Sequence, residues 1–345
     1  MFDPIIGNDQ LKQDLRRLRR ERRVPNSILF AGPEGVGKRL FAMELARSFV
    51  CRISKDLPCG ECSACLRVDR FVIPDPEKEN RPQFERVFFG EHLDVGIVIP
   101  YKRFVLVDAI RDLEFQAHFR PREGDARVFI IDNADQMNDA ASNALLKTLE
   151  EPADTSYLIL IASRPDSLLS TIRSRCQTFR FTPVSAREIE HFLVTKHAFD
   201  RTEASLAARI SRGSVGRSLA IDVTRFRDRR ERMLAVVSNA IETGDRAALL
   251  RLAEEANDVR NKEHFEEELE ILETLIHDIW TICVNGPVEM TINIDLGPRL
   301  EPLAEAVDAG RLAKWLGSIQ TLRDGLAVNI NRKVATDALF VGMAG

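Results

Sequence analysis

Hydrophobic positions along the chain follow two different periods. In the first half, short apolar runs alternate with stretches whose apolar residues recur every three or four positions. Short buried runs are typical of strands and the longer spacing is typical of helices, so strands and helices alternate in this half. The predicted strands cover residues 27–31, 128–131, 157–162 and 178–181. Such alternation predicts a parallel sheet with helices on both faces.

The rest of the pattern is helical or irregular. A helix rich in Ala and Leu is predicted over 138–151, where Pro152 ends it. The proline-containing stretch 74–101 is predicted to be irregular or inserted, and its part 75–89 to be a solvated loop. After Pro183 nearly all apolar residues follow helical spacing. The pattern therefore predicts an α/β half followed by an all-α half.

Composition narrows the class of protein. A chain of 345 residues with 44% hydrophobic and 30% charged residues is ordinary for a folded protein, and it excludes disordered and fibrous chains. No apolar run approaches the ~20 residues of a membrane helix, and the N-terminus lacks signal-peptide features. We therefore expect a cytoplasmic protein without membrane contact.

Charge is nearly balanced overall but is unevenly distributed. The net charge is −4, while basic residues crowd the stretch 12–23. A run of this kind is more often a solvated helix face than a binding surface. We predict a solvated face here and keep nucleic-acid contact as the alternative.

The segment 32–38 reads Gly-Pro-Glu-Gly-Val-Gly-Lys and fits the phosphate-binding pattern G-x-x-x-x-G-K between a predicted strand and a predicted helix. Gly32, Gly35 and Gly37 would let backbone N–H groups converge on phosphate oxygens at the helix N-terminus. Lys38 would direct its charge toward the β- and γ-phosphates. The segment indicates descent from a P-loop nucleoside triphosphatase.

Two positions that hydrolysis requires are altered. Arg39 stands where a P-loop has a Ser or Thr that binds Mg²⁺, and a guanidinium cannot ligate a cation. Asp132 after the strand 128–131 could hold the metal, but the next residue is Asn133, which cannot accept a proton from water at neutral pH. We expect no hydrolysis by the chain alone, and the sequence leaves open whether ATP and Mg²⁺ bind.

A cysteine cluster follows the P-loop helix. Cys51, Cys59, Cys62 and Cys65 are spaced C-x₇-C-x₂-C-x₂-C. Four thiolates can close a tetrahedral Zn²⁺ site with no open position, so we predict a structural zinc. Free or redox-active thiols are the alternative.

Arg175 lies in the segment Ser-Arg-Cys just before the last predicted strand. An arginine on a loop before an edge strand could reach the γ-phosphate bound by a neighbouring subunit and stabilise the transition state as a trans arginine finger. By itself a three-residue match does not distinguish this role from that of an ordinary surface arginine.

Six segments in a fixed order carry a family resemblance. They are Ile-Ile-Gly-Asn at 5–8, the P-loop region 26–38, the cysteine module 51–65, Ala-Leu-Leu-Lys-Thr-Leu-Glu-Glu-Pro at 144–152, Thr-Ile-Arg-Ser-Arg-Cys-Gln at 171–177 and Gly-Ser-Val-Gly-Arg at 213–217. In this order they resemble the AAA+ clamp-loader subunits of bacterial DNA polymerase III, especially the delta-prime type.

The resemblance implies three parts. Residues 1–182 would form an AAA+ α/β module carrying the inserted cysteine module 51–65. Residues 183–225 would form a small helical lid, and 226–345 an all-α collar for oligomerisation. Within the lid, Arg217 would belong to the sensor-2 segment that faces the nucleotide, and with a degenerate P-loop its role could be structural only.

The resemblance also implies a function. Delta-prime-type subunits act as a rigid, non-hydrolysing stator of a hetero-pentameric ring and present Arg175 of the Ser-Arg-Cys segment to a neighbouring motor. The partners would be gamma/tau-type motor subunits and delta, with the sliding clamp and primer–template DNA reached through the complex, as part of the DNA polymerase holoenzyme. The alternatives are an ATP-hydrolysing gamma/tau-type motor and a zinc-dependent nucleic-acid-binding protein outside the replisome.

Overall fold

The strands form a single six-stranded sheet in the computed structural model, which describes residues 1–2, 5–54, 56–258, 264–287, 290–327 and 330–344. The strands are β1 (Ser27–Ala31), β2 (Phe88–Phe89), β3 (Val95–Val98), β4 (Arg127–Ile131), β5 (Ser156–Ala162) and β6 (Gln177–Arg180). Their order in the sheet is β2-β3-β4-β5-β1-β6, and every neighbouring pair is parallel except β2 with β3.

Helices flank the sheet and make up the C-terminal half. They are α1 (Asp9–Arg20), α2 (Lys38–Val50), α3 (Ser63–Asp69), α4 (Val107–Ala117), α5 (Asp139–Glu150), α6 (Ser170–Arg173), α7 (Ala186–His197), α8 (Arg201–Ile210), α9 (Val215–Ala220), α10 (Val223–Glu242), α11 (Arg246–Ala256), α12 (Phe265–Cys283), α13 (Gly297–Glu305), α14 (Ala309–Ala327) and α15 (Arg332–Met343). Among the described residues, no helix has both the length and the apolar content needed to cross a bilayer.

Both faces of the sheet are buried, as β1 illustrates. Its side chains alternate, so that Ile28 and Phe30 join one hydrophobic cluster with α1 and α2, while Leu29 and Ala31 join another with α4 and α5. A strand buried on both faces favours apolar residues at most positions, which is why the segments of β1, β4 and β5 read as nearly continuous apolar runs. The predicted fold class, an α/β module followed by a helical region, is confirmed.

The register of the central strands sets the position of the loops. In the parallel pairs, Ala31 of β1 lies opposite Ala162 of β5, and Leu160 of β5 lies opposite Ile131 of β4. The carboxyl ends of these three strands therefore meet at one edge of the sheet. The chain after each strand, including the P-loop after β1, begins at this edge.

The stretch 74–101 is more ordered than its prolines suggest. The prediction of irregular structure is wrong for Val95–Val98, which forms a fully buried strand between β2 and β4. Gly96 lies inside the strand, and Pro100 follows it closely, so this short run gives a weak strand signal. The solvated-loop prediction for 75–89 is also wrong in part, because Phe84 is fully buried.

The chain divides into two compact units. One contains Met1–Ala198 and Ser211–Leu219, and the other contains Phe199–Ile210 and Ala220–Gly345. In the second unit α12 packs against α10, α13 and α14 around a core that includes Leu272. The division at 182 and 225 into module, lid and collar stays a prediction.

We predict that Phe41→Ala destabilises the first unit by about 3–5 kcal/mol, because it leaves a cavity in a packed core. The Phe41 ring is fully buried, stacked on Phe2 at 4.7 Å and edge-on to Phe181 at 4.9 Å. The neighbouring Leu40 is 60% exposed, so Leu40→Ala is the matched control and should stay within about 1 kcal/mol. Urea unfolding of both variants measures the difference, and equal losses would contradict the packing described.

Candidate functional site

The loop between β1 and α2 needs glycine at the positions that the motif supplies. Gly32, Gly35 and Gly37 all have positive φ, at 152°, 74° and 94°. A Cβ on Gly32 would lie 2.5 Å from the Phe181 carbonyl oxygen, and a Cβ on Gly35 would lie 1.8 Å from Ser214 Oγ. The backbone at these two positions is therefore closed to any other side chain, and α2 begins directly after Gly37.

Lys38 is held inside the loop. Its side chain is 6% exposed, and Nζ donates to the carbonyl oxygens of Gly32 and Pro33 at 2.5 and 2.6 Å and to Ser163 Oγ at 3.1 Å. Burial lowers the pKa of Lys38, and the carboxylates of Asp135 and Asp132 oppose that shift. An incoming phosphate would replace the loop carbonyls as the partners of this ammonium group.

The altered motif position Arg39 contacts the retained acidic residue Asp132. Arg39 lies in the first turn of α2 and Asp132 follows β4, and the Arg39 Nη1 atom lies 2.9 Å from Asp132 Oδ2. The Asp132 side chain is 8% exposed, and its other oxygen accepts the backbone N–H of Asn133 at 3.1 Å. The Arg39 guanidinium thus pairs with the carboxylate that the sequence analysis assigns to Mg²⁺. It brings positive charge to this position without offering a metal ligand.

A cavity of about 840 Å³ opens beside the loop. Its volume falls in the range of small-molecule sites, roughly 300–1,000 Å³. One wall is apolar, with Ile5, Ile6 and Leu219. Among the predicted nucleotide-binding residues, the cavity is lined by Gly35, Gly37, Lys38, Asp132 and Arg217. Gly32 is not in the lining, although its carbonyl holds Lys38.

The segment carrying Arg217 contacts the P-loop directly. Gly216 N–H donates to the Gly35 carbonyl at 3.1 Å, and the Arg217 N–H donates to Ser214 Oγ at 3.2 Å. This close approach explains why Gly35 has no room for a side chain. The site is therefore built from the P-loop, the end of β4, Ser163 after β5 and the segment 211–219, all within the first compact unit.

Arg175 lies away from this cavity. It follows α6 and is 35% exposed, with Nη2 2.7 Å from Glu150 Oε1 and Nη1 donating to the Thr171 carbonyl at 2.9 Å. The next residue, Cys176, is buried, and burial raises the pKa of its thiol to about 12. A buried Cys176 anchors the segment, while Arg175 remains at the surface and outside the lining of the cavity.

The cysteine cluster assembles as its spacing predicts. The Sγ atoms of Cys51, Cys59, Cys62 and Cys65 all lie within 4.8 Å of one another. Cys51 follows α2, Cys62 caps the N-terminus of α3, and Cys59 Sγ lies 3.9 Å from Cys65 Sγ. Four sulfurs around a tetrahedral ion with bonds of ~2.3 Å would be about 3.8 Å apart. The cluster could therefore hold a metal ion with little rearrangement.

Local hydrogen bonds prepare two of these thiols for deprotonation. Burial raises the pKa of Cys62, but hydrogen bonds from the backbone N–H groups of Cys65 and Arg52 outweigh it and lower the pKa to about 6. The pKa of Cys51 is also lowered, since backbone donors again outweigh burial. Burial and the neighbouring thiols raise the pKa of Cys65. Two of the four thiols thus lose their protons more readily than an ordinary thiol, which favours cation binding.

The family described as DNA polymerase III, delta subunit, matches residues 7–185, which is more than half of the chain. The chain belongs to this family. The matched residues include the P-loop, the cysteine cluster, Asp132 and Arg175.

Named relatives agree with the assignment. The chain is 34% identical over 172 residues to the delta′ subunit of DNA polymerase III from Bacillus subtilis, covering 50% of this chain and 46% of that protein. It is 27% identical over 321 residues to the Escherichia coli delta′ subunit, covering 91% and 88%. The B. subtilis tau subunit is 31% identical over 189 residues, covering 54% and 30%. The chain thus spans about half or less of the two B. subtilis relatives.

Solved structures add little to this. A DNA polymerase III gamma-subunit-related protein from Thermotoga maritima is 14% identical and covers 96% of this chain and 98% of that one, with a TM-score of 0.40. A TM-score this low supports no further conclusion. The family assignment therefore rests on sequence.

Two features of this delta-family chain differ from the sequence expectations. Ser163 was not predicted as a site residue, because a single serine after a strand gives no motif, yet it contacts Lys38.

The basic stretch 12–23 is only partly a solvated face, because Lys12 and Arg19 are buried. Lys12 pairs with Asp9 at 2.7 Å, so part of the basic charge serves the fold.

We predict that Arg39→Ser makes ATP binding dependent on Mg²⁺, because it frees the Asp132 carboxylate and adds a hydroxyl that can ligate the metal. Arg39→Ala is the matched control, since it frees Asp132 without adding a ligand. Affinity of a fluorescent ATP analogue should rise about tenfold or more with Mg²⁺ over EDTA for the serine variant only. Identical affinities for wild type and both variants would show that another feature closes the site to Mg-ATP.

Proposed function

We propose that this chain is a non-hydrolysing clamp-loader subunit of DNA polymerase III, of the delta-prime type. The observation that carries the proposal is the ion pair of Arg39 with Asp132. In this contact the Asp132 carboxylate is engaged and no longer available to a metal ion. Its partner, Arg39, stands where the metal-binding hydroxyl would be. Metal-assisted hydrolysis needs both groups, because they would hold the Mg²⁺ that neutralises the charge developing on the phosphates.

The residue that would orient the attacking water supports the same proposal. Asn133 follows Asp132, with φ at 48°, and its amide cannot act as a general base. Hydrolysis by this chain would therefore lack both the metal site and the base. The P-loop would then serve as a fixed structural element, and residues 183–225 and 226–345 would act as lid and collar.

Arg175 gives such a chain a catalytic role toward another subunit. It lies on the surface of the first unit, outside its own nucleotide cavity, and its side chain is held by Glu150. A guanidinium held in this way is available to a γ-phosphate bound by a neighbour. The neighbours would be gamma/tau-type motors and delta in a hetero-pentameric ring, which would act on the sliding clamp and primer–template DNA.

A gamma/tau-type motor is the second candidate. The cavity of about 840 Å³ and the retained Lys38 favour it, and tau subunits are among the relatives. Measurable ATPase activity of the isolated chain that disappears in Lys38→Ala would favour this candidate. The Arg39–Asp132 contact favours the first, because a motor must bind Mg²⁺ during each turnover.

We also propose that the cysteine cluster holds a structural zinc ion. Four sulfurs with no nitrogen or oxygen ligand favour Zn²⁺ over harder cations and leave no open coordination position. The cluster joins the end of α2 to the start of α3, and between Cys51 and Ala64 none of the described residues is a buried hydrophobic side chain. A metal there would stabilise this connection rather than supply chemistry.

We predict that Arg175→Ala lowers clamp- and DNA-stimulated ATP hydrolysis of the reconstituted loader, by ~10³ at the site that it serves. The total rate falls less where other motor sites remain active. Arg173→Ala is the matched control, because Arg173 lies on the same segment and pairs with Asp166 at 2.7 Å. An unchanged rate for Arg175→Ala in a fully assembled loader would contradict the finger role.

We predict about one Zn²⁺ per chain by metal analysis, with loss of the metal and of thermal stability in Cys62→Ser. Cys283→Ser, in α12 outside the cluster, should retain it. Because zinc binding displaces the thiol protons, retention should fall as the pH drops below about 6, the pKa of Cys62 in the metal-free cluster, since protons then compete with zinc for this thiolate. A stable wild-type chain that is free of metal would contradict the proposal.

A further inference from the structure

An acidic residue outside the cysteine cluster contacts both of its ends. Glu123 lies in the connection between α4 and β4, and its carboxylate accepts hydrogen bonds from two arginines. Arg52 directly follows the first cysteine, Cys51, and Arg67 comes two residues after the last, Cys65. One carboxylate therefore bridges the start and the end of the cysteine module 51–65.

The contact with Arg67 is the more extensive of the two. Arg67 Nη1 donates to Glu123 Oε1 at 2.9 Å, and Nη2 donates to Oε2 at 2.5 Å, so the two groups form parallel bonds. Arg52 Nη2 adds a third bond, to Glu123 Oε2 at 2.8 Å. The pKa of Glu123 is lowered to about 2 by the hydrogen bonds from Arg67, so the carboxylate is charged at neutral pH. An isolated surface ion pair contributes little, but a bidentate pair within a network has a fixed geometry.

The backbone of Glu123 is fixed as well. Asp94 is fully buried just before β3, and it accepts the backbone N–H groups of Arg122, Glu123 and Gly124 at 2.8, 2.8 and 3.1 Å. A buried carboxylate with three backbone donors holds a loop firmly, because breaking these bonds would leave charge unpaired in the interior. Glu123 is therefore anchored to the sheet and not to the cysteine module that it contacts.

Each arginine is also tied to the segment that carries a cysteine. The Arg52 backbone N–H donates to Cys62 Sγ. Arg67 lies on α3, whose first turn contains Cys65, and its Nε donates to the Ser63 carbonyl at 3.3 Å. The position of the two guanidinium groups is thus linked to the position of two of the four sulfurs.

A second ion pair attaches α3 without Glu123. Arg47 on α2 donates to the two carboxylate oxygens of Asp69, at the end of α3, at 2.5 and 2.6 Å. Because this pair remains when Glu123 is replaced, α3 should stay joined to α2. We therefore expect the loss of Glu123 to change the geometry of the cluster and not to unfold the module.

We propose that Glu123 is a positioning residue of the zinc site proposed above: through Arg52 and Arg67 it fixes both ends of the cysteine module relative to the sheet. This role depends on the cluster binding metal, as that proposal states. Contacts beyond the ligands orient the ligands, and their loss typically costs about 10- to 100-fold in metal affinity. The Glu123 side chain is 24% exposed, so the lower end of this range is expected.

The affinity of the full chain for Zn²⁺ is measured by competition with a chelating dye under reducing conditions. Glu123→Gln keeps the size of the side chain and removes its charge, and it should weaken binding by about tenfold. Glu91→Gln is the matched control. The Glu91 carboxylate lies 3.5 Å from Arg70, just after α3, and both side chains are at least half exposed, so affinity should change by no more than about twofold.

Arg67→Lys separates geometry from charge. Lysine keeps the positive charge but cannot form two parallel bonds, so this variant should reproduce most of the loss. If both residues act through one contact, Glu123→Gln/Arg67→Lys should bind zinc about as well as the weaker single variant. Titration with Co²⁺ gives a spectroscopic readout, because its d–d absorption depends on coordination geometry. The bands at saturating Co²⁺ should change in Glu123→Gln and stay unchanged in Glu91→Gln.

Three outcomes would overturn the proposal. Equal zinc affinity in Glu123→Gln and Glu91→Gln would show that the bridge does not act on the site. Tighter binding in Glu123→Gln would show that Glu123 acts by its charge on the thiolates and not by position. An equal fall in melting temperature with Zn²⁺ and with EDTA would assign Glu123 to the stability of the fold alone.

Failure of the zinc site itself gives a different result. A wild-type chain without affinity for Zn²⁺ would refute that site. A wild type that binds Zn²⁺, with unchanged affinity in Glu123→Gln, would refute only the role of Glu123.

Discussion

The ion pair between Arg39 and Asp132 is the constraint on which the rest of the first unit depends. It joins the first turn of α2 to the end of β4, with the carboxylate almost fully buried. A buried carboxylate without a partner is costly, and in a metal-dependent P-loop protein the metal and nucleotide would supply that partner only when bound. Here the partner is part of the chain. The edge of the sheet can therefore stay in one arrangement without a ligand, as the proposed stator role requires.

Two separate cavities lie along one edge of the sheet. The connection from Asp132 to Asn138 borders the cavity beside the P-loop at its start and a second cavity of about 520 Å³, lined by Tyr101 and Phe104, at its end. Between them, the Val105 N–H donates to the Gln136 carbonyl at 3.2 Å, and the Asp132 N–H donates to the Val98 carbonyl at 2.9 Å. These bonds tie the chain after β3 to the chain after β4. Fixing Asp132 therefore also fixes the framework that supports the turn from Tyr101 to Phe104.

Sequence predicted the elements whose signals are local. Strands β1, β4 and β5 were found within a residue, because a strand buried on both faces leaves a nearly continuous apolar run. Strand β6, at the edge of the sheet, was also found within a residue, although three of its four residues are exposed. The cysteine cluster followed from spacing alone. Strand β3 was missed, since Gly96 and Pro100 weaken a short run. Arg39 and Asp132 were each singled out, but 93 residues separate them, and only the register of the sheet brings them together.

The contact of Ser163 with Lys38 shows why the remaining site residues escape sequence reasoning. Lys38 needs acceptors for its buried ammonium group, and two come from the carbonyls of its own loop. The third is Ser163, which is available only because β5 lies beside β1 in the sheet. A serine after a strand has no distinctive spacing, so its role follows from strand order and not from its identity. The same holds for Phe84, whose burial under Tyr101 turns an apparent insertion into part of the core.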